Sequence, residues 1–345
     1  MLLLQFYLSQ KCFLGGEVET ETGDSDVEAV AADVVEATQA EVPAVKSSKW
    51  TDLITRVLSA CGMIAFLGGV SFYYKEDGLS ALVVVIQAMM YGEMTRTIGG
   101  DDWGSIGATL RKYWWFLTAV IVFNGPRVLP WKQMVLDATA FGMIVSVGCV
   151  GSILSFQSQK SGTVEFREFI RQTAVSLLSA ITVVLPSSYW IGTLEEHGMK
   201  WIFVPAAFIA INDIMAYIFG RLIGRHPLLP AISPKKTWEG FLGAGIATVG
   251  AAWVALAEEG GPAALLGPGL EGITRTDGLI LAAVASTVAP FAGFLASVIK
   301  RAYGRKDFGN SFPGHGGFVD RFDCQLIFAP FVYFYLTLYK AASSS

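Results

Sequence analysis

Charge is scarce in this chain. Of its 345 residues, 16% are charged, against about 25% in a typical soluble domain, which argues against a water-soluble globule. Histidine is scarcer, with only His197, His226 and His315. The four cysteines (Cys12, Cys61, Cys149, Cys324) are scattered without a C-x-x-C spacing. Nothing in that pattern points to a zinc site or a disulfide framework, and lone cysteines in apolar runs read as small packing residues. No internal repeat stands out, so an inverted-repeat transporter plan lacks support. The opening "MLLLQFYL" has no basic n-region, and the acidic stretch after it is the opposite of an organelle transit peptide, so no cleaved leader is expected.

What the chain has in abundance is apolar surface: 53% hydrophobic residues and a mean hydropathy of +0.50. Runs near twenty residues recur, the length that crosses roughly 30 Å of hydrocarbon. The fold class expected is all-α, a polytopic integral membrane protein with about nine helices. The spans fall near residues 53–74, 78–91, 113–124, 134–156, 172–191, 200–220, 238–257, 278–299 and 324–339. Residues 1–48 read as an acidic, aromatic-poor tail of disordered composition, 49–340 as one membrane domain, and 341–345 as a short C-terminal tail.

Counting Lys and Arg on alternate sides of these spans gives eighteen on the side of the N-terminus (among them Arg96, Lys160, Arg225, Lys235, Lys236 and Lys300) and six on the other. The positive-inside rule then sets the N-terminus and the large basic loops in the cytosol. It also brings the loops after the sixth and eighth spans to one face, where two distant charged segments could build one site.

The candidate site comes from those segments. In "NDIMAYIFGRLIGR", Asp213 lies about 10 Å below the expected helix end at 1.5 Å per residue. An ionisable group at that depth is a functional candidate, with packing against a neighbouring Arg as the alternative. Asp213, Tyr217, Gly220 and Gly224 form one helical stripe. The next loop, "HPLLPAISPKKTWEGF", is stiffened by Pro227, Pro230 and Pro234. It places Lys235 and Lys236 just before a helix start, where Thr237 reads as an N-cap and a polyanion is favoured. His197 and His226 read as ordinary loop residues.

The third segment, "KRAYGRKDFGNSFPGHGGFVDRFD" (300–323), holds five basic and three acidic side chains. Asp307, Asp320 and Asp323 are hard oxygen ligands of the kind Mg²⁺ takes together with substrate phosphates. Lys300, Arg301, Arg305, Lys306 and Arg321 suit phosphate oxygens. Gly314, Gly316 and Gly317 would let backbone amides approach an anion. His315 reads as a binding or structural residue. Together these are the parts of phosphoryl or nucleotidyl transfer at a bilayer edge.

Ser297, Ile299, Lys300, Arg301, Lys306, Asp307, Gly309, Phe312, Pro313, His315, Gly316, Gly317, Phe318, Asp320, Arg321, Phe322 and Asp323 resemble the complete signature of the phosphatidate cytidylyltransferases, or CDP-diacylglycerol synthases. "NDIMAYIFGRLIGR" and "ISPKKTWEGF" are similar to the family's other motifs. The resemblance covers about residues 50–340. It implies the reaction of CTP with phosphatidate, helices around a polar funnel open to the cytosol, Mg²⁺ (or Mn²⁺) as cofactor, and often a homodimer in the bilayer. No nucleic-acid partner is expected.

Carried over, Asp320, Asp213, Asp307 and Asp323 form the catalytic acidic set, with Asp320, Asp213 and Asp323 as metal ligands. Lys235, Lys236, Thr237, Lys300, Arg301, Lys306, His315, Gly316, Gly317 and Arg321 bind substrate. One departure stands out. Gly293 and Ala296 occupy places where bacterial members carry Asp and Glu, as in eukaryotic-type members, which turns the second metal ligand toward Asp213 and the location toward the endoplasmic reticulum. Two other readings stay open: a CTP-dependent lipid kinase, and a non-catalytic anion transporter or scaffold.

Overall fold

The computed structural model describes residues 49–100, 106–128, 163–256, 272–312 and 316–340, all within the unit Lys49–Ser345. The acidic segment 1–48, the expected span 134–156, His315 and the tail 341–345 lie outside the described residues.

Apolar segments become helices here because hydrocarbon offers backbone amides no water, so each segment must close its own hydrogen bonds. Helix α1 (Lys49–Gly99) contains the first two expected spans, and its path departs from helical geometry at Lys75 (φ 52°, ψ −135°). Helix α2 (Ile106–Val128) follows. Helix α3 (Thr163–Ser179) runs through a π-helical turn, Ala180–Val184, into α4 (Leu185–His197). Helix α5 (Lys200–Ile223) leads to a hairpin of β1 (Pro227–Leu229) and β2 (Ser233–Thr237), then to α6 (Trp238–Ala255). The chain finishes with α7 (Arg275–Thr287), α8 (Ala289–Ala302) and α9 (Val319–Phe334), the last running on as a π-helix over Tyr335–Lys340.

Among the described residues, five stretches are long and apolar enough to cross a membrane: Ala65–Gly99, Arg167–His197, Lys200–Ile223, Arg275–Ala302 and Val319–Lys340. Helices α2 and α6, which cover two further expected spans, fall short of that measure. The protein is a helical membrane protein, with one addition to the all-α expectation. Between α5 and α6 the chain forms an antiparallel hairpin pairing Pro227 with Thr237 and Leu229 with Ser233. Three prolines in eight residues make a helix impossible there, since each lacks an amide donor and fixes φ.

Helices α5 and α6 pack at very close range. A side chain at Gly240 would place its Cβ 2.8 Å from the Ala216 carbonyl oxygen and 3.0 Å from Gly220 Cα. Small residues of this kind let backbones approach where lipid supplies no hydrophobic drive. Buried polar side chains add glue between α1, α2 and α4. Gln87 donates to Asn124 and to Ser187 Oγ at 3.0 Å, and Asn124 donates back to Gln87 at 2.9 Å.

One end of the bundle, where α7 begins and α9 finishes, is locked by Asp277. Thr274 and Asp277 form a reciprocal cap on α7, and Asp277 also accepts from Tyr335 and Lys340, each at 2.7 Å. The charged loops after α5 and α8 lie at the other end.

Candidate active site

The loop between α8 and α9 is built on two carboxylates. Asp320, in the first turn of α9, accepts from Lys300 Nζ at 2.7 Å through Oδ1. Through Oδ2 it accepts from the backbone amides of Phe308 (2.8 Å) and Gly317 (3.0 Å). The Lys300 and Asp320 side chains are only 12% and 4% exposed. Lys300 Nζ also lies 5.5 Å from the centroid of the buried Phe308 ring. Gly316 takes φ +82°, a conformation only glycine adopts cheaply. Its missing Cβ would stand 3.0 Å from Asp320 Oδ2 and 3.4 Å from Asp307 Oδ1.

The second carboxylate is Glu93, which sequence reasoning did not select. It reaches from α1, buried at 6% exposure, and accepts from Ser311 Oγ at 2.7 Å and from the Val319 amide at 3.0 Å. A Cβ on Gly309 or Gly317 would lie 2.6 Å from Glu93 Oε1, closer than real atoms allow. The anion that these glycines admit is therefore the protein's own. The expected phosphate nest is corrected accordingly: the Gly317 amide, with those of Phe308 and Val319, is occupied by Asp320 or Glu93. A signal for Glu93 was present, since an acid inside the run "ALVVVIQAMMYGEM" meets the criterion that singled out Asp213.

A different set of charges meets between α5, α8 and α9. Asp213 is exposed although it lies in a membrane helix. That helix runs to Ile223, which sets Asp213 about 15 Å from its end, deeper than the sequence implied. The charges of Lys236, Asp323 and Arg321 act on Asp213, and those of Lys236 and Lys300 act on Asp323. Asp323 takes the Cys324 amide on Oδ1 at 2.7 Å. Its Oδ2 is 3.4 Å from where a Gly293 Cβ would be, and Lys236 Nζ is 3.7 Å from that same point. Lys236 is held over the Phe294 ring at 4.4 Å, a contact of about 0.5–1 kcal/mol for an exposed cation. Gly293, the position that departs from the bacterial pattern, thus faces Asp323 and Lys236 directly.

The four expected acids therefore do not act as one group. Asp320 and Asp307 converge on Gly316, while Asp213 and Asp323 converge near Lys236. Among the described residues, no three His, Cys, Asp or Glu side chains are grouped closely enough to hold a metal by themselves, so the expected ligand set Asp320, Asp213 and Asp323 is not assembled. Asp213 and Asp323 still fit a divalent cation that takes one or two carboxylates and completes its shell with substrate phosphates.

The other expected residues separate by exposure. Lys235, Lys236, Arg301, Lys306 and Arg321 are exposed, and Arg301 Nη1 donates to the Arg305 carbonyl oxygen at 3.0 Å. Thr237 caps α6 as expected, accepting from the Gly240 amide at 3.2 Å. Glu239 turns back on the hairpin, where it accepts from the Arg225 and His226 amides and pairs with the His226 ring. His226 thereby fastens the lysine-bearing hairpin to α6.

Residues 54–339 match the cytidylyltransferase family. The chain is 31% identical over 336 residues to phosphatidate cytidylyltransferase 3 of Arabidopsis thaliana, covering 81% of this chain and 70% of that protein. It is 30% identical over 354 residues to phosphatidate cytidylyltransferase 1 of the same plant, covering 86% and 82%. Against phosphatidate cytidylyltransferase 1 of Homo sapiens the identity is 38% over 204 residues, covering 48% and 43%.

Proposed function

We infer the activity from one premise: the chain belongs to the cytidylyltransferase family. The enzyme transfers the cytidylyl group of CTP to phosphatidate, giving CDP-diacylglycerol and pyrophosphate. The observation that carries this reading is the approach of Asp323 and Lys236, from α9 and β2, to the same point beside Gly293, with the charges of both acting on Asp213 of α5. A water-soluble nucleotide and a phosphate anchored in the bilayer can meet only where charges of this kind are reached from the membrane surface.

In the reaction, a phosphate oxygen of phosphatidate attacks the α-phosphorus of CTP. A new P–O bond forms, the bond to the α–β bridging oxygen breaks, and pyrophosphate departs with that electron pair. The nucleophile is already anionic near neutral pH, so no strong base is required. The protein's work is to bring two polyanions together and offset their charge. Lys235 and Lys236 stand just before the N-terminus of α6, where the helix dipole also favours anions. Arg301, Lys306 and Arg321 supply further exposed positive charge. Lys300, being paired with Asp320, holds the loop instead of reaching outward. Asp213 and Asp323 would hold Mg²⁺ or Mn²⁺, which when bound neutralises phosphate charge.

The same reading has nine crossings around a polar funnel that opens to the cytosol, with a cytosolic N-terminus, in the endoplasmic reticulum. The eighteen-to-six Lys and Arg bias between alternate loops supports that sidedness. Mass spectrometry of lipids extracted after incubation with CTP, Mg²⁺ and phosphatidate tests the reaction. CDP-diacylglycerol, with pyrophosphate in the aqueous phase, is the expected result. Phosphatidate left unchanged while an added lipid alcohol becomes phosphorylated would replace it with a CTP-dependent kinase.

A further inference from the structure

The glycine-rich loop and the first membrane helix meet around the Glu93 side chain. Glu93 projects from α1 into an apolar cluster that includes Met90, Met94, Phe308 and Val319. Hydrocarbon surroundings make a carboxyl group there costly unless it is hydrogen-bonded, and both donors it receives come from the far side of the contact. Ser311 Oγ donates to Oε1 from within the loop, and the Val319 amide donates to Oε2 from the start of α9. Gly309 and Gly317 lack the one atom that would collide with this carboxyl group. Two glycines, a hydroxyl and an amide, spread over residues 309–319, are thus shaped to one acid that lies more than two hundred residues earlier.

We propose that Glu93 is a positioning residue for cytidylyl transfer: it docks residues 303–312 and 316–318 onto α1 and so fixes the cations in and beside that segment. This rests on the function proposed above. Without the dock, the loop spends only part of its time in the binding-competent arrangement, and the apparent KM rises by the reciprocal of that fraction. Gln at this position preserves the dock: its carbonyl oxygen accepts from the Val319 amide, and its NH₂ group donates to Ser311 Oγ, since a hydroxyl can accept as well as donate. Ala removes both contacts.

The test uses the full chain in mixed micelles, with Glu93→Gln, Glu93→Ala and Ser311→Ala. The readouts are KM for CTP, kcat, and tryptic cleavage within residues 300–321. Glu93→Ala is expected to raise KM at least tenfold with kcat within about threefold, and to expose the loop to trypsin. Ser311→Ala should move both in the same direction but less, and Glu93→Gln should stay within about threefold of the original enzyme. Should Glu93→Ala fail to fold, the other two variants decide. An unchanged KM and cleavage pattern in Ser311→Ala would overturn the proposal. So would a Glu93→Gln enzyme that loses kcat at constant KM, because that would make the carboxyl group part of the chemistry. The cleavage pattern needs no turnover, so an unmodified chain that makes no CDP-diacylglycerol sinks the functional reading alone.

Discussion

Replacing Asp320 with Asn should cost the enzyme its loop before it costs any chemistry. The carboxylate accepts three hydrogen bonds, one from Lys300 and two from backbone amides, at 2.7–3.0 Å, with its side chain 4% exposed. Asparagine has one acceptor oxygen and two donor hydrogens. Turned one way, it leaves a buried ammonium facing an NH₂ group; turned the other, it strands two amides. An orphaned buried donor costs about 1–3 kcal/mol, and a buried ion pair broken on one side about 3–5 kcal/mol. The expected loss is therefore about 3–5 kcal/mol. At roughly 2–4 °C per kcal/mol for chains of 150–250 residues, that lowers the thermal midpoint by roughly 10 °C. The assay is the midpoint of detergent-purified protein, followed by fluorescence, alongside the initial rate of lipid labelling. A Lys300→Met, Asp320→Leu double variant should recover little of the midpoint, because removing the unpaired ammonium still leaves the Phe308 and Gly317 amides without their acceptor, and activity stays low. An Asp320→Asn protein with an unshifted midpoint and no activity would refute this reasoning and put Asp320 among the reacting groups.

Three further outcomes follow from the geometry. Lys236→Ala removes an exposed cation held over Phe294, and should raise KM for a phosphate-bearing substrate about tenfold, or ~1.4 kcal/mol, with the midpoint nearly unchanged in a thermal scan. Gly240→Ala forces a methyl group to within 2.8 Å of the Ala216 carbonyl oxygen and should destabilise by about 1–3 kcal/mol, read as a lowered midpoint. Asp213→Asn should raise the Mg²⁺ concentration giving half-maximal rate about tenfold, with a smaller change in KM for CTP measured at saturating metal; an unchanged Mg²⁺ titration would remove Asp213 from the metal site.

Much of this was legible in the sequence, for identifiable reasons. Eight of the nine apolar runs fall on described helices, and five described stretches are long and apolar enough to cross a membrane, because hydrocarbon thickness sets the helix length that an apolar run must reach. Lys236, from the hairpin after α5, approaches Gly293 of α8 and Asp323 of α9, a neighbourhood that the expected one-sided arrangement of the two charged segments anticipates. Thr237 was read as a cap because a single local contact defines it. What escaped was partnership. Asp320 looked like a metal ligand because residue type shows that an oxygen is present but not which donors already occupy it. Gly317 looked like part of a phosphate nest because a glycine's clearance does not name the atom that fills it. Glu93 was passed over since its donors, Ser311 and Val319, lie 218 and 226 residues away, and no local pattern connects them. The hairpin was foreshadowed only as a stiff loop, its pairing being set by where the chain must re-enter the bundle.

The measurement that bears most directly on the whole account uses CTP labelled at the α-phosphorus. It is added with Mg²⁺ and phosphatidate to the purified chain and, in parallel, to an Asp213→Asn, Asp323→Asn variant whose thermal midpoint has been checked. Label entering the lipid phase with the first protein and not with the second is the predicted result. Lipid labelling by both proteins at equal rates would contradict the site, and labelling by neither would contradict the reaction.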